Sequence, residues 1–210
     1  VEKCLTDRKL ANANSPARDD LFETDVSSSP LSDEDREAFH SDVAKLLYLA
    51  KRVRKDILVS VSYLCSRVAE PTEDDQRKLM RVLGYLSRTR DLKTFFRSGD
   101  VVLSAHIDAS FGTHDDGSSR TGVVLMLGGA AVGAWSSKQK IVTKSSTEAE
   151  LVGLSDGATM VLWAREFLLA QGHSLSPTVI GQDNQGVLSL MDNGRHGNQR
   201  TKHLNIRYFF

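Results

Sequence analysis

The chain is organised around the stretch Ser145-Ser146-Thr147-Glu148-Ala149-Glu150-Leu151, which predicts the start of a long helix. Ser145, followed three residues later by Glu148 and then by an apolar run, forms the pattern of a capping box. In that motif a hydroxyl and a carboxylate satisfy backbone donors of the first helical turn. We therefore expect a helix from about Ser146 to Ala170, with a local task for Glu148 at its beginning.

Apolar residues recur at helical spacing after this start and predict the side of the helix that faces the core. They are Leu151, Leu154, Ala158, Val161, Leu162, Leu168 and Leu169. Glu150 lies at the N-terminal end of this stripe, whereas Glu148 points elsewhere. A carboxylate that faces a packed interface is costly unless a cation or hydrogen bonds compensate it. Of the two acids, Glu150 is therefore the candidate metal ligand.

Two aspartates are placed by predicted strands. Residues 101–108 have the β-branched content of a strand, and Asp108 lies near its end. Residues 178–183 form a shorter strand before a helix, so Asp183 lies at a junction where the helix N-terminus favours negative charge. Taken singly, such an Asp is more often a turn or cap residue than a ligand. The order of the acids, Asp on a first strand, Glu in a helix and Asp after a later strand, indicates a site for hard divalent metal ions.

Charge and cysteine content restrict the classes of protein. The 210 residues contain 27 Lys plus Arg and 27 Asp plus Glu, so the net charge of zero neither supports nor excludes a nucleic-acid partner. Cys4 and Cys65 have no metal or disulfide spacing, which is typical of a reducing compartment. No apolar run reaches membrane-spanning length, and no signal region follows the N-terminus. We expect an intracellular protein that is not secreted and has no membrane partner.

Three regions are predicted along the chain. Residues 1–38 have the polar composition of a linker. Residues 39–98 contain three helical patterns, which predict a small helical subdomain that ends in a brief strand at 92–96. Residues 99–210 begin as a three-stranded antiparallel meander and continue with the capped helix and the strand before Asp183. The fold class expected for this third region is mixed α/β, with a parallel strand added to the meander and flanking helices.

A set of short motifs runs through the third region. They are Ile107-Asp108-Ala109-Ser110, Ser119-Arg120-Thr121-Gly122, Trp135-Ser136-Ser137-Lys138-Gln139, Ser145-Ser146-Thr147-Glu148-Ala149-Glu150, Asp183-Asn184-Gln185 and Thr201-Lys202-His203. In this order they resemble the ribonuclease H domain of Ty1/copia-type retrotransposon Pol polyproteins. The helical patterns around residues 45–57 and 81–86 resemble the C-terminal end of the reverse transcriptase in the same polyproteins.

The resemblance implies a ribonuclease H-like fold that cleaves the RNA strand of an RNA/DNA hybrid. Asp108, Glu150 and Asp183 match the first three metal-binding carboxylates of the family, which are its catalytic residues. They would hold two Mg²⁺ ions, or Mn²⁺ in their place. One ion activates the attacking water, and the other stabilises the leaving 3′ oxygen.

Substrate contacts are expected beside these acids. Asn184 and Gln185 offer amide donors and acceptors for the 2′-hydroxyl of RNA, and Lys202 and His203 belong to the last motif. Candidates for phosphate contacts are Lys138, Lys140, Lys144, Lys202 and Arg207. The partners implied are an RNA/DNA hybrid and the remainder of the Pol polyprotein with its reverse transcriptase. The implied location is the cytoplasm, in a virus-like particle of the element, or the nucleus.

The resemblance places two further parts outside these residues. The fourth carboxylate of the family would follow a strand beyond Phe210, and the catalytic Asp pair of the reverse transcriptase would precede Val1. We therefore expect no polymerase activity here and a ribonuclease H-like domain that is incomplete at its C-terminus. The alternative is a catalytically inactive transposon-derived fragment that binds nucleic acid without cleavage. An integrase-like nuclease of the same fold is disfavoured by the residues after Asp183 and by the transcriptase-like helices.

Overall fold

The structure is a computed structural model that describes residue 10, residues 12–96, residue 99 and residues 101–193. Its contacts divide the chain into two compact units, Val1–Phe95 and Phe96–Phe210. Each unit has its own apolar core, as expected for a chain long enough to bury more than one.

The described residues of the first unit form three α-helices, which are α1 (Asp33–Arg52), α2 (Leu58–Arg67) and α3 (Glu73–Arg88). Short 3₁₀ helices cover Asp19–Phe22 and Lys55–Ile57. The three helices bury their apolar faces against one another, as their periodicity predicts. The largest fully buried side chains here are Phe39, Val43, Leu46, Ile57, Val61, Leu64, Leu79, Val82, Leu83 and Leu86.

The part of the chain described before α1, residue 10 and residues 12–32, contains a short 3₁₀ helix and buried side chains, although a polar linker is predicted for residues 1–38. Helix α1 begins at Asp33 because the hydroxyl of Ser32 accepts a hydrogen bond from the backbone N–H of Asp35. Leu21 is buried, and the ring of Phe22 lies edge-on to that of Tyr63 with centroids 5.8 Å apart. These apolar contacts fix the segment on the helices despite its polar composition.

An arginine joins the turn after α1 to the end of α3. The buried guanidinium of Arg54 donates from Nη2 to a carboxylate oxygen of Asp56 over 2.7 Å. Its Nη1 donates to the carbonyl oxygen of Thr89 over 2.9 Å, so the same side chain also satisfies a backbone acceptor at the helix C-terminus. The ion pair and the helix cap therefore depend on one buried side chain.

The strand predicted at residues 92–96 is not formed. These residues are exposed and have no ladder partner within the described part of the chain. A short apolar run forms a strand only where a neighbouring strand accepts its backbone hydrogen bonds, and residues 92–96 lie outside the sheet of the second unit.

The part of the second unit that the structure describes contains a four-stranded mixed sheet. Its strands are β1 (Leu103–Ser110), β2 (Arg120–Leu127), β3 (Ala130–Lys138) and β4 (Val179–Gly181), in the spatial order β3-β2-β1-β4. The pairs β1–β2 and β2–β3 are antiparallel, and β4 is parallel to β1. This confirms the predicted mixed α/β class with an antiparallel meander extended by a parallel strand.

The long helix α4 (Ser146–Ala170) packs on β1 and β2 through small residues. A Cβ atom added at Gly157 would lie 2.6 Å from Cδ1 of Ile107 and 3.0 Å from Cγ2 of Val123. At Gly153, one turn earlier, the nearest atoms would be 3.4 Å away, on Ala109 and Thr121. Glycine at position 157 therefore lets the helix approach the sheet more closely than any side chain would.

The predicted apolar stripe of α4 is wrong at two positions. Leu162 and Leu169 are 60% and 39% exposed, respectively. Leu151 is buried in a cluster with Val187 and Leu190 of the following helix, α5 (Gln185–Asn193), and the half-buried Leu154 packs against this cluster. The side of α4 that faces the sheet contains Gly153 and Gly157 as well as Val161 and Ala164, and the glycines carry little weight in hydrophobic periodicity.

Candidate functional site

Three carboxylates from separate elements meet at one end of the sheet. Asp108 lies near the end of β1, Glu150 in the second turn of α4, and Asp183 between β4 and α5. One carboxylate oxygen of each lies within 4.8 Å of those of the other two. Asp108 and Asp183 are exposed, whereas Glu150 is buried. The structure thus brings together the three acids singled out as metal ligands from the sequence.

The beginning of α4 sets the direction of Glu150. The hydroxyl of Ser145 accepts a hydrogen bond from the backbone N–H of Glu148 over 3.2 Å, as a helix cap does. The carboxylate of Glu148 accepts from the backbone N–H of Lys144 over 2.8 Å, one residue before the position that a reciprocal capping box would use. Glu148 is thereby committed to the helix end, and Glu150 turns toward β1.

Burial and neighbouring groups shift the pKa of Glu150. Burial raises the pKa of this carboxyl above its ordinary value, and the neighbouring carboxylate of Asp108 raises it further. Hydrogen bonds from the amide of Gln182 and from the backbone N–H of Ala109 oppose the increase in pKa. Bringing like charges together in a partly buried site is unfavourable without a cation, so this arrangement suits a cation.

Gln182, which was not singled out from the sequence, connects the parts of this acidic cluster. Its Nε2 donates to Oε2 of Glu150 over 3.2 Å and to the carbonyl oxygen of Ile107 over 3.5 Å. Its Oε1 accepts from the backbone N–H of Asn184 over 2.9 Å. A glutamine at the end of a strand has no distinguishing sequence pattern. Its contacts with the acidic cluster become evident only from the parallel pairing of β4 with β1.

Of the residues predicted to bind substrate, Asn184 and Gln185 lie at the start of α5. Asn184 caps α5, because its Oδ1 accepts a hydrogen bond from the backbone N–H of Val187 over 3.2 Å. Gln185, the first residue of α5, is exposed and follows Asp183 by two positions. Lys202 and His203 lie outside the described residues, as does Arg207.

Among the predicted phosphate contacts, Lys138 already has an acidic partner. Its Nζ lies 2.6 Å from Oδ2 of Asp116 in the loop between β1 and β2. That hydrogen bond, with others from Ser118, lowers the pKa of Asp116 to about 2. Lys140 and Lys144 are exposed in the loop between β3 and α4. Of the three lysines, these two are the better candidates for contacts to an external anion.

The second unit is thus a mixed α/β domain whose first strand, long helix and parallel strand end supply a cluster of three carboxylates. The chain as a whole belongs to the Ty1/copia-type retrotransposon Pol polyprotein family. No protein-family model matches the chain. No solved structure matches it either.

Three relatives illustrate the membership. The Retrovirus-related Pol polyprotein from transposon RE2 of Arabidopsis thaliana is 36% identical over 171 residues, which are 80% of this chain and 12% of that polyprotein. The corresponding polyprotein from transposon TNT 1-94 of Nicotiana tabacum is 30% identical over 81% of this chain and 13% of its own length. The Putative transposon Ty5-1 protein of Saccharomyces cerevisiae is 37% identical over 72% of this chain and 47% of its own length.

The similarity extends through both units. A match of 171 residues is longer than either Val1–Phe95 or Phe96–Phe210 alone. The chain spans about an eighth of the length of the two plant polyproteins. Within the described part of the chain, no helix is both long enough and apolar enough to span a bilayer.

Proposed function

We propose that the second unit is a ribonuclease H-like domain that hydrolyses the RNA strand of RNA/DNA hybrids with Mg²⁺, and that the first unit is the helical end of a reverse transcriptase. The observation that carries the proposal is the meeting of Asp108, Glu150 and Asp183 within 4.8 Å. The strand order β3-β2-β1-β4, with a parallel β4, supports the assignment of the fold.

The donor set suits the proposed ion. Mg²⁺ prefers hard oxygen ligands and binds through few carboxylates while it keeps water molecules. Two exposed carboxylates and one buried carboxylate provide such oxygen ligands. When bound, Mg²⁺ would supply the positive charge that activates water for attack on the phosphodiester and stabilises the leaving 3′ oxygen.

The residues of the chain have separate roles in this proposal. Asp108, Glu150 and Asp183 hold the ions, and the hydrogen bonds to Glu150 fix its orientation. Gln185, exposed two positions after Asp183, would contact the 2′-hydroxyl that distinguishes RNA from DNA. Asn184 would act mainly through the start of α5, because its side-chain oxygen is engaged there.

Cleavage of a labelled RNA/DNA hybrid by the full chain tests the proposal. DNA and RNA duplexes of the same sequence serve as substrate controls, and EDTA serves as the metal control. We expect Mg²⁺-dependent cleavage of the RNA strand in the hybrid. Asp108→Asn should reduce it by at least about 100-fold, because even changes around a metal ligand commonly cost about 10- to 100-fold.

Asp115→Asn is the matched control variant, since Asp115 is an exposed acid in the loop after β1 and lies outside the acidic cluster. It should cleave like the unmodified chain. Cleavage that survives in Asp108→Asn would contradict the proposed site. A folded chain that binds the hybrid in saturating Mg²⁺ without cutting it would replace the proposal with the non-catalytic alternative.

A further inference from the structure

The side chain of Gln182 contacts three elements that must be held together for the acidic cluster to exist. Its amide nitrogen reaches Glu150 on α4 and the backbone of Ile107 on β1, at 3.2 and 3.5 Å. Its amide oxygen accepts from the backbone N–H of Asn184, at the start of α5. Each of these positions is next to, or is itself, one of the three acids.

An amide is the group that fits these partners. The ionised Glu150 and the carbonyl of Ile107 only accept hydrogen bonds, whereas the N–H of Asn184 only donates. A glutamate at position 182 could not donate to Glu150, and an asparagine would be one methylene shorter. The network also assigns the orientation of the amide, with nitrogen toward Glu150 and oxygen toward Asn184.

We propose that Gln182 is a positioning residue that fixes the carboxylate of Glu150, and the start of α5 after Asp183, in the arrangement that binds a divalent cation. This inference rests on the proposed function, since it concerns the same site. Gln182 acts through Glu150 and Asn184 and has no assigned contact with substrate. Residues that orient metal ligands in this way commonly contribute about 10- to 100-fold in metal affinity or activity.

Two variants separate positioning from a general effect on folding. Gln182→Met keeps a side chain of similar length and removes both ends of the amide, and Gln182→Asn keeps the amide but shortens its reach. Gln171→Met is the matched control, because Gln171 is exposed at the opposite end of α4. Tryptophan fluorescence in urea shows whether each full-length variant folds, so Gln182→Asn serves if Gln182→Met does not.

The primary measurement is the Mg²⁺ affinity of the substrate-free protein by isothermal titration calorimetry. We expect both Gln182 variants to bind Mg²⁺ at least about 10-fold more weakly than the unmodified chain, with Gln171→Met unchanged. In hybrid cleavage, the Mg²⁺ concentration for half-maximal rate should rise by the same factor, while the rate at saturating Mg²⁺ recovers most of its value.

The outcomes distinguish this inference from the function on which it rests. If the unmodified chain binds Mg²⁺ and both folded Gln182 variants bind it equally well, the positioning role is overturned and the proposed function stands. A lower unfolding midpoint with an unchanged Mg²⁺ affinity would likewise reduce Gln182 to a structural residue. If the unmodified chain binds no Mg²⁺, the proposed function and the positioning role both fail.

Discussion

Replacing Gly157 by alanine should push α4 away from the sheet. The added Cβ would lie 2.6 Å from Cδ1 and 3.1 Å from Cγ1 of Ile107, and 3.0 Å from Cγ2 of Val123. Ile107 is 2% exposed, so its side chain has little space into which it can turn. Because both strands crowd the new atom, a rotation of Ile107 alone cannot relieve the contact. The helix must move by several tenths of an ångström.

Two opposing effects determine how much Gly157→Ala changes the free energy of unfolding. Alanine favours a helix over glycine by about 1 kcal/mol, whereas overpacking a tight interface costs about 1–3 kcal/mol. The contacts at Gly157 are tight enough to put the cost in the upper half of that range, so the net loss should be about 1 kcal/mol. Gly153→Ala meets its nearest neighbours at 3.4 Å, so it should instead stabilise the unit by about 0.5–1 kcal/mol through helix propensity.

Urea unfolding followed by tryptophan fluorescence is the assay. Both tryptophans of the chain, Trp135 and Trp163, lie in the second unit, so the signal reports that unit alone. A difference of about 2 kcal/mol between the two alanine variants corresponds to roughly 1 M in the urea midpoint. Equal midpoints for Gly157→Ala and Gly153→Ala would refute the close helix–sheet approach as the reason for glycine at position 157.

Three further predictions concern charge and capping. The pKa of Glu150 is raised in the folded state, so this carboxyl binds more protons in the folded chain than in the unfolded chain, and its contribution to stability falls as the pH rises from its ordinary pKa to the folded one. Glu150→Gln should therefore stabilise the metal-free chain at pH 7 and remove the stabilisation by Mg²⁺. Thermal unfolding in EDTA and in Mg²⁺ that shows no such reversal would contradict this prediction. Arg54→Met leaves Asp56 without its buried partner and should destabilise the first unit by about 3 kcal/mol; circular dichroism at 222 nm should resolve an earlier transition there, with the tryptophan signal of the second unit unchanged. Ser145→Ala removes the hydroxyl cap of α4 and should cost about 1 kcal/mol, whereas Ser145→Asp, which can still cap, should cost less in the same tryptophan-monitored assay.

The sequence predicts the elements of the second unit better than their packing. The start of α4 follows from local chemistry, because a hydroxyl at Ser145 and an apolar run after it are sufficient signals. The sheet-facing side of α4 follows only in part, because Val161 marks it whereas Gly153 and Gly157 leave no hydrophobic periodicity to detect. Hydrophobic periodicity also assigns Leu162 to the buried side of the helix, whereas its side chain is exposed.

The acidic cluster could also be predicted in part from the sequence. Asp108 and Asp183 could be placed at strand ends, and Glu150 could be preferred to Glu148 from helical geometry. Gln182 could not be found, because its bonds to Glu150 and Ile107 join residues 32 and 75 positions away. Its role as a metal-site residue, like that of the three acids, remains a prediction that the proposed measurements test.

The parallel pairing of β4 with β1 also has a consequence for the order in which the second unit folds. Strands β1 to β3 form a meander of local hairpins, whereas the contact between Ile107 and Gln182 closes a loop of 75 residues. Contacts at such long separation form slowly, because the entropy of closing the loop must be lost first. During synthesis, the hairpins and α4 can therefore form early, while the acidic cluster assembles only after Asp183 has left the ribosome. A nascent chain that ends before β4 would carry Asp108 and Glu150 without a complete site.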